Sequence, residues 1–407
     1  MTDSQISTLL PTKMLEQFRE RAGHFDTENE FFYEDLAALR ASRYLAAPVP
    51  KEMGGAGLSL EQLVVSQRRL AAYAPATALG VNMHLVWVQV ARFMRELGRG
   101  DDSEGSLDWI LRDTLAGEIF AFGISEAGNE AVLMDSCSTA VSDGGGYYVS
   151  GTKVFTTLSP VWTRLGVHAK CADSGRLIFG FVRRSRDLDK LDQRLRDARA
   201  CRENPSQGLV TGTISHPGVW NPLGMRATQS WATVLDRVWI AERDVAAKIE
   251  PIVGQHPLIL GIFSAFSLLT SAVYAGIADR VLELATSAAK RGRSLESETT
   301  RLDDADIASR LTTAHLDHKA SLNTLELLSR EIDAKRVRDD WSIALAACRN
   351  QVTDEARRAV DVAMRLEGSR AYQSDSELAR LYRDVLAGLF HPSSSSALAR
   401  SVLGALD

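Results

Sequence analysis

The sequence has few of the residues that would commit it to a metal site, a disulfide framework or a polyanionic partner. Its four cysteines, Cys137, Cys171, Cys201 and Cys348, lie far apart without a CxxC pair, so neither a zinc site nor disulfides are predicted. The eight histidines form no HExxH or comparable metal-binding set. Basic residues are scattered through a chain of net charge -5, so no nucleic-acid-binding stripe is predicted.

The N-terminus also lacks the basic start, apolar run and small-residue cleavage site of a secretory signal, and we expect a cytoplasmic protein. One stretch, residues 257–278, has no charged residue over about the length of a bilayer crossing. Ser264, Ser267, Thr270 and Ser271 interrupt this stretch, which continues into an amphipathic sequence. The prediction is therefore a helix buried in a bundle, with a membrane-spanning helix as the alternative.

The hydrophobic period changes twice along the chain. Apolar residues recur every three or four positions up to about residue 118, with Ser59 as a predicted N-cap after a Pro- and Gly-rich connection. Short β-branched and aromatic runs then predict strands, and helical spacing returns after about Pro251. We predict an α+β, mostly α fold: an all-α domain at 1–118, a β-barrel-like domain at 119–248 and a helical bundle at 249–407. A charged insert at 183–207 is predicted to be a solvated helix or loop.

Five segments carry a resemblance to a known family. In chain order they are VPKEMGGAGLS, GISEAG, GGYYVSGTKVFTT, NPLGMRATQSWATVLDRVWI and ELARLYRDV. The chain resembles the acyl-CoA dehydrogenase superfamily over nearly its whole length. The resemblance implies a flavin, usually FAD with FMN as the alternative, between the β domain and the C-terminal bundle. It also implies a homotetramer or homodimer in which a neighbouring subunit completes the cofactor site.

The resemblance further implies roles for individual residues. Ile124 and Ser125 would contact the pyrimidine side of the flavin, Phe155 would lie against its ring system, and Thr157 would hydrogen-bond near O4 or N5. Hydroxyls and amides at this edge suit the negative charge that develops on a reduced flavin. Arg291 or Arg293 would reach the cofactor pyrophosphate across a subunit interface, with a solvated helix end as the equally supported alternative.

The catalytic glutamate of the family is missing from both of its usual positions. Counting from the arginine-aspartate motif leads to Pro392, preceded by His391, and the other position falls near Phe266. The serine-bearing segment that helps to hold a thioester reads AGNEAVLMDS here, which puts an acyl-CoA substrate in doubt. Glu126 and Glu130 lie nearby, but neither is assigned as the base.

A second branch of the superfamily, the reduced-flavin monooxygenases, has a histidine in the region of the missing glutamate. LYRDVLAGLFHP resembles that region, and His391 and His84 are the catalytic candidates, since a histidine beside the flavin could act as an acid or base near neutral pH. For His84 the alternative is a core histidine held by a backbone carbonyl, and for His391 a loop residue that caps a helix.

Three functions therefore stay open at the sequence level. We favour a flavin-dependent monooxygenase that acts on a small molecule and draws on a flavin reductase. The first alternative is an acyl-CoA dehydrogenase with an unidentified base and an electron-transfer flavoprotein as its partner. The second is a non-catalytic flavoprotein or scaffold subunit.

Overall fold

The structure is a computed structural model that describes residues 2–100, 106–184, 212–252, 256–291 and 300–404. Its helices form one group before the strands and one after them. The first group comprises α1 (Thr2–Leu9), α2 (Thr12–Thr27), α3 (Tyr33–Ala41), α4 (Leu60–Ala71), α5 (Pro75–Glu96) and α6 (Asp108–Leu115). The second comprises α7 (Pro257–Arg291), α8 (Ala305–Asp333), α9 (Trp341–Glu367), α10 (Glu377–Leu386) and α11 (Ser395–Leu403).

The described strands lie between these groups and form one sheet. They are β1 (Phe120–Gly123), β2 (Thr139–Ser142), β3 (Gly146–Thr156), β4 (Arg164–Cys171), β5 (Leu177–Arg183), β6 (Thr213–Ser215), β7 (Trp231–Ala241) and β8 (Val245–Ile249). The strand order is β6–β7–β3–β2–β4–β5–β8, and β1 pairs in parallel with β4. The helix–sheet–helix order confirms the predicted α+β, mostly α fold. The domain boundaries stay a prediction, and nearly all of the charged insert lies outside the described residues.

Helix α7 contains the uncharged stretch and packs against α4, α5, α8 and α9. By length and composition it could cross a membrane, but its most apolar 18-residue window is 89% buried within the fold. The hydroxyls of Ser264, Thr270 and Ser271 bond to carbonyls of the same helix, as in Thr270 Oγ1 to Phe266 O at 2.6 Å and Ser271 Oγ to Ser267 O at 2.7 Å. Such local bonds let hydroxyls enter an apolar core without unpaired polar atoms. The helix is buried, as predicted.

Local signals in the sequence account for where several helices begin and which faces they bury. The Ser59 hydroxyl accepts a hydrogen bond from Gln62 N (3.3 Å), and the Gln62 side chain accepts one from Ser59 N (3.0 Å). This reciprocal pair is a capping box, and it starts α4 at the predicted position. Apolar residues at three- and four-residue spacing form a buried face of α9: Leu345, Cys348, Val352, Ala356, Ala359, Ala363 and Leu366.

Candidate functional site

A cavity of about 210 Å³ lies where the two helical groups meet the sheet. Its walls come from α5, the end of β1, the end of β3, the 220–230 segment, α7, and the chain from Arg383 to Pro392. Four of the residues predicted for the site line it together: Ser125, Phe155, Thr157 and His391. Segments separated by more than two hundred residues therefore converge on one site, as the resemblance implied.

A chain of hydroxyl groups lies along one part of the cavity. Thr157 Oγ1 is 2.7 Å from Ser230 Oγ, which is 2.8 Å from Thr228 Oγ1, and Thr228 Oγ1 donates to Met225 O at 2.8 Å. Each hydroxyl has a single proton, so the bond to the carbonyl fixes the direction of donation along the whole chain. Ser230 donates to Thr228, and Thr157 donates to Ser230. The free lone pair of Thr157 is left as an acceptor toward the cavity.

The backbone around these hydroxyls adopts conformations that side-chain-bearing residues seldom take. Phe155, Leu158, Met225 and Gln229 have φ of 55°, 66°, 52° and 45°. Left-handed backbone at non-glycine residues costs free energy and is retained where the surroundings require it, often at binding sites. At Phe155 it leaves the ring 56% exposed at the cavity, 6.4 Å edge-on from the ring of Trp220.

These features fit a flavin. An isoalloxazine ring needs an apolar surface to lie against and hydrogen-bonding groups at its heteroatom edge. The exposed ring of Phe155 meets the first need, and the hydroxyl of Ser125 and the acceptor lone pair of Thr157 meet the second. Because Thr157 is an acceptor, it suits an N–H of the flavin edge, not O4 or the unprotonated N5, which are acceptors themselves. The backbone bond from Val154 N to Ser125 O, 2.9 Å long, ties these two hydroxyl-bearing segments together.

His391 is half-buried and is held by Tyr274 of α7, whose hydroxyl is 2.6 Å from His391 Nε2. Burial, and then the positive charge of Arg349, lower the pKa of His391 to about 3, so the imidazole is neutral near pH 7. Burial raises the pKa of Tyr274, so its phenol keeps its proton. Among the described residues Nε2 is the only acceptor that this hydroxyl contacts, and we assign it as the donor. The ring proton of His391 is then on Nδ1.

The loop that contains His391 follows a short 3₁₀ turn, Ala387–Phe390, and is fixed to α9. Arg349 is buried and donates from Nη1 to Gly388 O (3.1 Å) and from Nη2 to Ser393 O. At Gly388 a Cβ atom would lie 2.4 Å from Thr353 Cγ2, so only glycine permits this close approach. Two carbonyls that flank His391 are thus bonded to one guanidinium.

The 220–230 segment is anchored to the start of the same loop. Met225 N donates to Asp384 Oδ1 at 2.5 Å, and burial raises the pKa of Asp384 to about 6. A Cβ atom on Gly224 would lie 2.2 Å from Arg383 O, so the two backbones touch here. Arg383 itself pairs with Asp26 of α2. The arginine-aspartate motif therefore has a structural role, since it joins the cavity walls.

The remaining predicted residues have different surroundings. The side chain of Ile124 lies in the helical core and does not line the cavity. Arg291 is exposed at the end of α7, with Nη2 3.5 Å from Glu367 Oε2. This position agrees with the solvated helix end as well as with a contact across a subunit interface. Arg293 lies outside the described residues.

The surroundings of His84 match the alternative given for it. Its Nε2 is 3.1 Å from Leu45 O, its Nδ1 accepts from Phe120 N at 3.1 Å, and the side chain does not line the cavity. Burial lowers its pKa to about 4. Because both ring nitrogens are bonded to the backbone, we leave His84 out of the proposed catalytic set and treat it as a core histidine.

Glu126 and Glu130 also lie away from the cavity lining. Glu126 Oε1 accepts from Lys153 Nζ at 2.7 Å, and Cys137 N and Ser138 N donate to its two oxygens. This buried ion pair holds the 126–138 loop. Glu130 is exposed and pairs with Arg400 (2.7 Å). Neither has the surroundings of a base.

The sequence did not indicate four residues that shape the site: Thr228, Ser230, Tyr274 and Arg349. The first two lie within a family-like segment whose individual side chains gave no signal. Arg349 had one, because it lies four residues after Leu345 and three before Val352, on the apolar face of α9, where an arginine needs buried partners. Tyr274 lies among apolar residues of α7, and its partner is 117 positions away.

Comparison with known proteins agrees with this architecture. The family profile described as "Acyl-CoA dehydrogenase, C-terminal domain" matches residues 258–390. YdbM of Bacillus subtilis (strain 168), provisionally named an acyl-CoA dehydrogenase, is 24% identical over 95% of this chain and 92% of its own. The L-evernosamine nitrososynthase of Micromonospora sp. is 26% identical over 91% of this chain and 81% of its own.

Solved structures extend the same likeness to the whole fold. The crystal structure of FMN-bound TdsC from Paenibacillus sp. A11-2 superposes with a TM-score of 0.78 at 17% identity, and the match covers 98% of this chain and 96% of TdsC. At that identity the superposition shows a shared fold. The chain therefore has an acyl-CoA dehydrogenase-like fold, matches the C-terminal domain of that family at residues 258–390, and, with its near-full-length relatives, is a flavin-dependent oxidoreductase.

Proposed function

We propose that this protein is a reduced-flavin monooxygenase in which His391 is the catalytic residue. The observation that carries the proposal is the kind of group at the base position. A neutral histidine, held by a buried tyrosine and placed beside a buried arginine, faces the cavity where the dehydrogenases need a carboxylate. No aspartate or glutamate is among the described residues that line this cavity.

In this proposal the flavin supplies the activation of molecular oxygen, and the protein supplies binding, orientation and proton control. Ser125 and Thr157 would hold the cofactor edge, and Phe155 would lie against its ring. The Nδ1 proton of His391, which lines the cavity, would serve as a hydrogen-bond donor to a reacting oxygen. Tyr274 keeps that tautomer, and the charge of Arg349 opposes a second proton on the ring.

The acyl-CoA dehydrogenase alternative needs a base that takes a proton from the substrate. Asp384 is a buried carboxylate near the cavity, and its Oδ1 is occupied by Met225 N. With a pKa of about 3, His391 binds a proton weakly and would be a poor base for a carbon acid. The scaffold alternative is not supported, because the cavity keeps both a hydrogen-bond donor and a lining that suits a flavin.

Several partners follow from the proposed chemistry. The protein would receive its reducing equivalents from a separate flavin reductase, whereas a dehydrogenase would pass electrons to an electron-transfer flavoprotein. FMN is bound in the TdsC structure, and FAD is usual in the superfamily, so this chain uses one of the two. A homotetramer or homodimer, Arg291 at its interface and a cytoplasmic location stay predictions.

An oxygen-dependence assay separates the functions. The flavin-loaded protein would be supplied with a flavin reductase and NADH. Formation of a hydroxylated product would then be compared in air and under anaerobic conditions. Product that forms only with both oxygen and reduced flavin is the expected result. Oxidation of butyryl-CoA without oxygen, with bleaching of the flavin, would instead favour the dehydrogenase. A colourless protein that takes up neither FAD nor FMN would favour the scaffold.

A further inference from the structure

The cavity contains no unpaired charge among the described residues that line it. The part of the lining that the structure describes includes one guanidinium, that of Arg383, and no aspartate, glutamate or lysine. Arg383 already forms an ion pair with Asp26 and bonds to Ser374 O (3.4 Å). Among the described lining residues, a phosphate or carboxylate bound here would find no free cation, and an ammonium group no anion. Burial of such a charge without a partner is strongly unfavourable.

Aromatic rings fill one of the positions that a catalytic carboxylate would occupy. Phe266 is 7% exposed and stacks on Phe122, with ring centroids 5.4 Å apart and an interplanar angle of 23°. Its ring also meets that of His391 nearly at a right angle, at 5.8 Å. All three line the cavity, as do Leu79 and Met83 of α5. This part of the lining is therefore apolar and consists of aromatic rings and aliphatic side chains.

We propose that the substrate is an uncharged, planar aromatic molecule that lies against Phe122 and Phe266 and meets His391 through its only polar edge. The proposal rests on the proposed function of this site and specifies its substrate class. It distinguishes this chain from enzymes that must neutralise a nucleotide phosphate or hold a thioester. A protonated amine is disfavoured for the same reason as an anion, because neither finds a counter-charge in the cavity.

Binding to the oxidised, flavin-loaded protein tests the proposal without turnover. Indole, indole-3-acetate and tryptamine share one ring system and differ in charge, so they form a matched series. Perturbation of the flavin spectrum and calorimetry would give each dissociation constant, with dTDP and butyryl-CoA as probes of the competing substrate classes. Indole should bind at least tenfold more tightly than each of the four charged probes.

A charge introduced into the cavity should change this preference. Leu386 lines the cavity and is half-buried at the end of α10, so Leu386→Lys adds a cation with limited disturbance of packing. In this variant the ratio of indole to indole-3-acetate affinity should fall at least fivefold, while tryptamine should bind more weakly. Leu316→Lys, on the exposed surface of α8, carries the same substitution away from the cavity and should leave all affinities unchanged.

Specific results would overturn the proposal. Indole-3-acetate or tryptamine would bind as tightly as indole, or dTDP or butyryl-CoA would bind more tightly than indole. Indole that fails to bind up to its solubility limit would have the same consequence. If Leu386→Lys does not fold, Leu386→Met and Phe266→Leu replace it. Only Phe266→Leu should weaken indole binding severalfold, and equal affinities in both would also refute the proposal. Tight indole binding with no oxygen-dependent product would refute the monooxygenase function and leave the substrate class standing.

Discussion

Replacement of His391 by alanine tests the catalytic assignment and the contact that supports it. Loss of a hydrogen-bond donor that stabilises a reacting oxygen in the transition state lowers turnover by about a hundredfold or more. The same substitution leaves the buried Tyr274 hydroxyl without its 2.6 Å partner. An unsatisfied buried polar group costs about 1–3 kcal/mol, so the free energy of unfolding should fall by at least that amount.

A double-mutant cycle separates these two effects. Tyr274→Phe alone should lower turnover by about tenfold or less, because His391 remains but its tautomer is no longer fixed. In Tyr274→Phe/His391→Ala no hydroxyl is left unsatisfied, so the double variant should be about 1 kcal/mol more stable than His391→Ala. Its turnover should equal that of His391→Ala.

The assay is product formation per oxygen consumed, with hydrogen peroxide measured in parallel and unfolding followed in urea. Flavin content should be the same in all four proteins. If His391→Ala retains the turnover of the parent protein, His391 is not catalytic. If the stability changes of the single variants simply add, the Tyr274–His391 hydrogen bond does not form as described.

Three further perturbations address the cofactor contact, the protonation of His391 and the helical bundle. Thr157→Val removes the acceptor that faces the cavity and should weaken flavin binding about threefold to tenfold by fluorescence titration, whereas unchanged binding would contradict the assigned contact. Arg349→Met removes the positive charge and should raise the pKa of His391 above about 3 in an NMR titration, whereas Arg349→Lys keeps the charge and should not. Equal His391 pKa values in the two variants would exclude the charge effect. His318 lies between Asp279 and Glu355 at 2.8 and 3.0 Å, and although burial opposes the charged form, these contacts raise its pKa to about 9. It therefore stabilises the fold by about 3 kcal/mol below pH 6.5, and this stabilisation should disappear as the pH rises through 9. His318→Gln should remove that pH dependence from urea unfolding, and an unaltered pH profile would assign it to other groups.

Much of the fold could be predicted because its signals are local. The capping box of α4 lies within four consecutive residues, and the apolar face of α9 follows directly from helical spacing. The buried α7 was distinguishable from a spanning helix because its serines and threonine can bond within the helix. Motif order then placed Ser125, Phe155 and Thr157 on one cavity.

The rest of the site depends on contacts between distant segments. Tyr274 and His391 are 117 positions apart, and nothing local to either marks the other as its partner. The two backbone contacts of His84 come from Leu45, which precedes α5 in the chain, and from Phe120, which follows it. The left-handed backbone of Phe155 is equally unmarked, because tertiary contacts impose it on a residue that ordinarily avoids it.

The most direct test of the monooxygenase proposal is stopped-flow absorbance of the anaerobically reduced, flavin-loaded protein after mixing with oxygenated buffer. Two phases are expected: a transient spectrum unlike that of the reduced or the oxidised flavin, followed by the oxidised spectrum. His391→Ala should shorten the lifetime of the transient. A single slow phase that leads directly to the oxidised flavin, in the parent protein as in the variant, would contradict the monooxygenase proposal and favour a dehydrogenase.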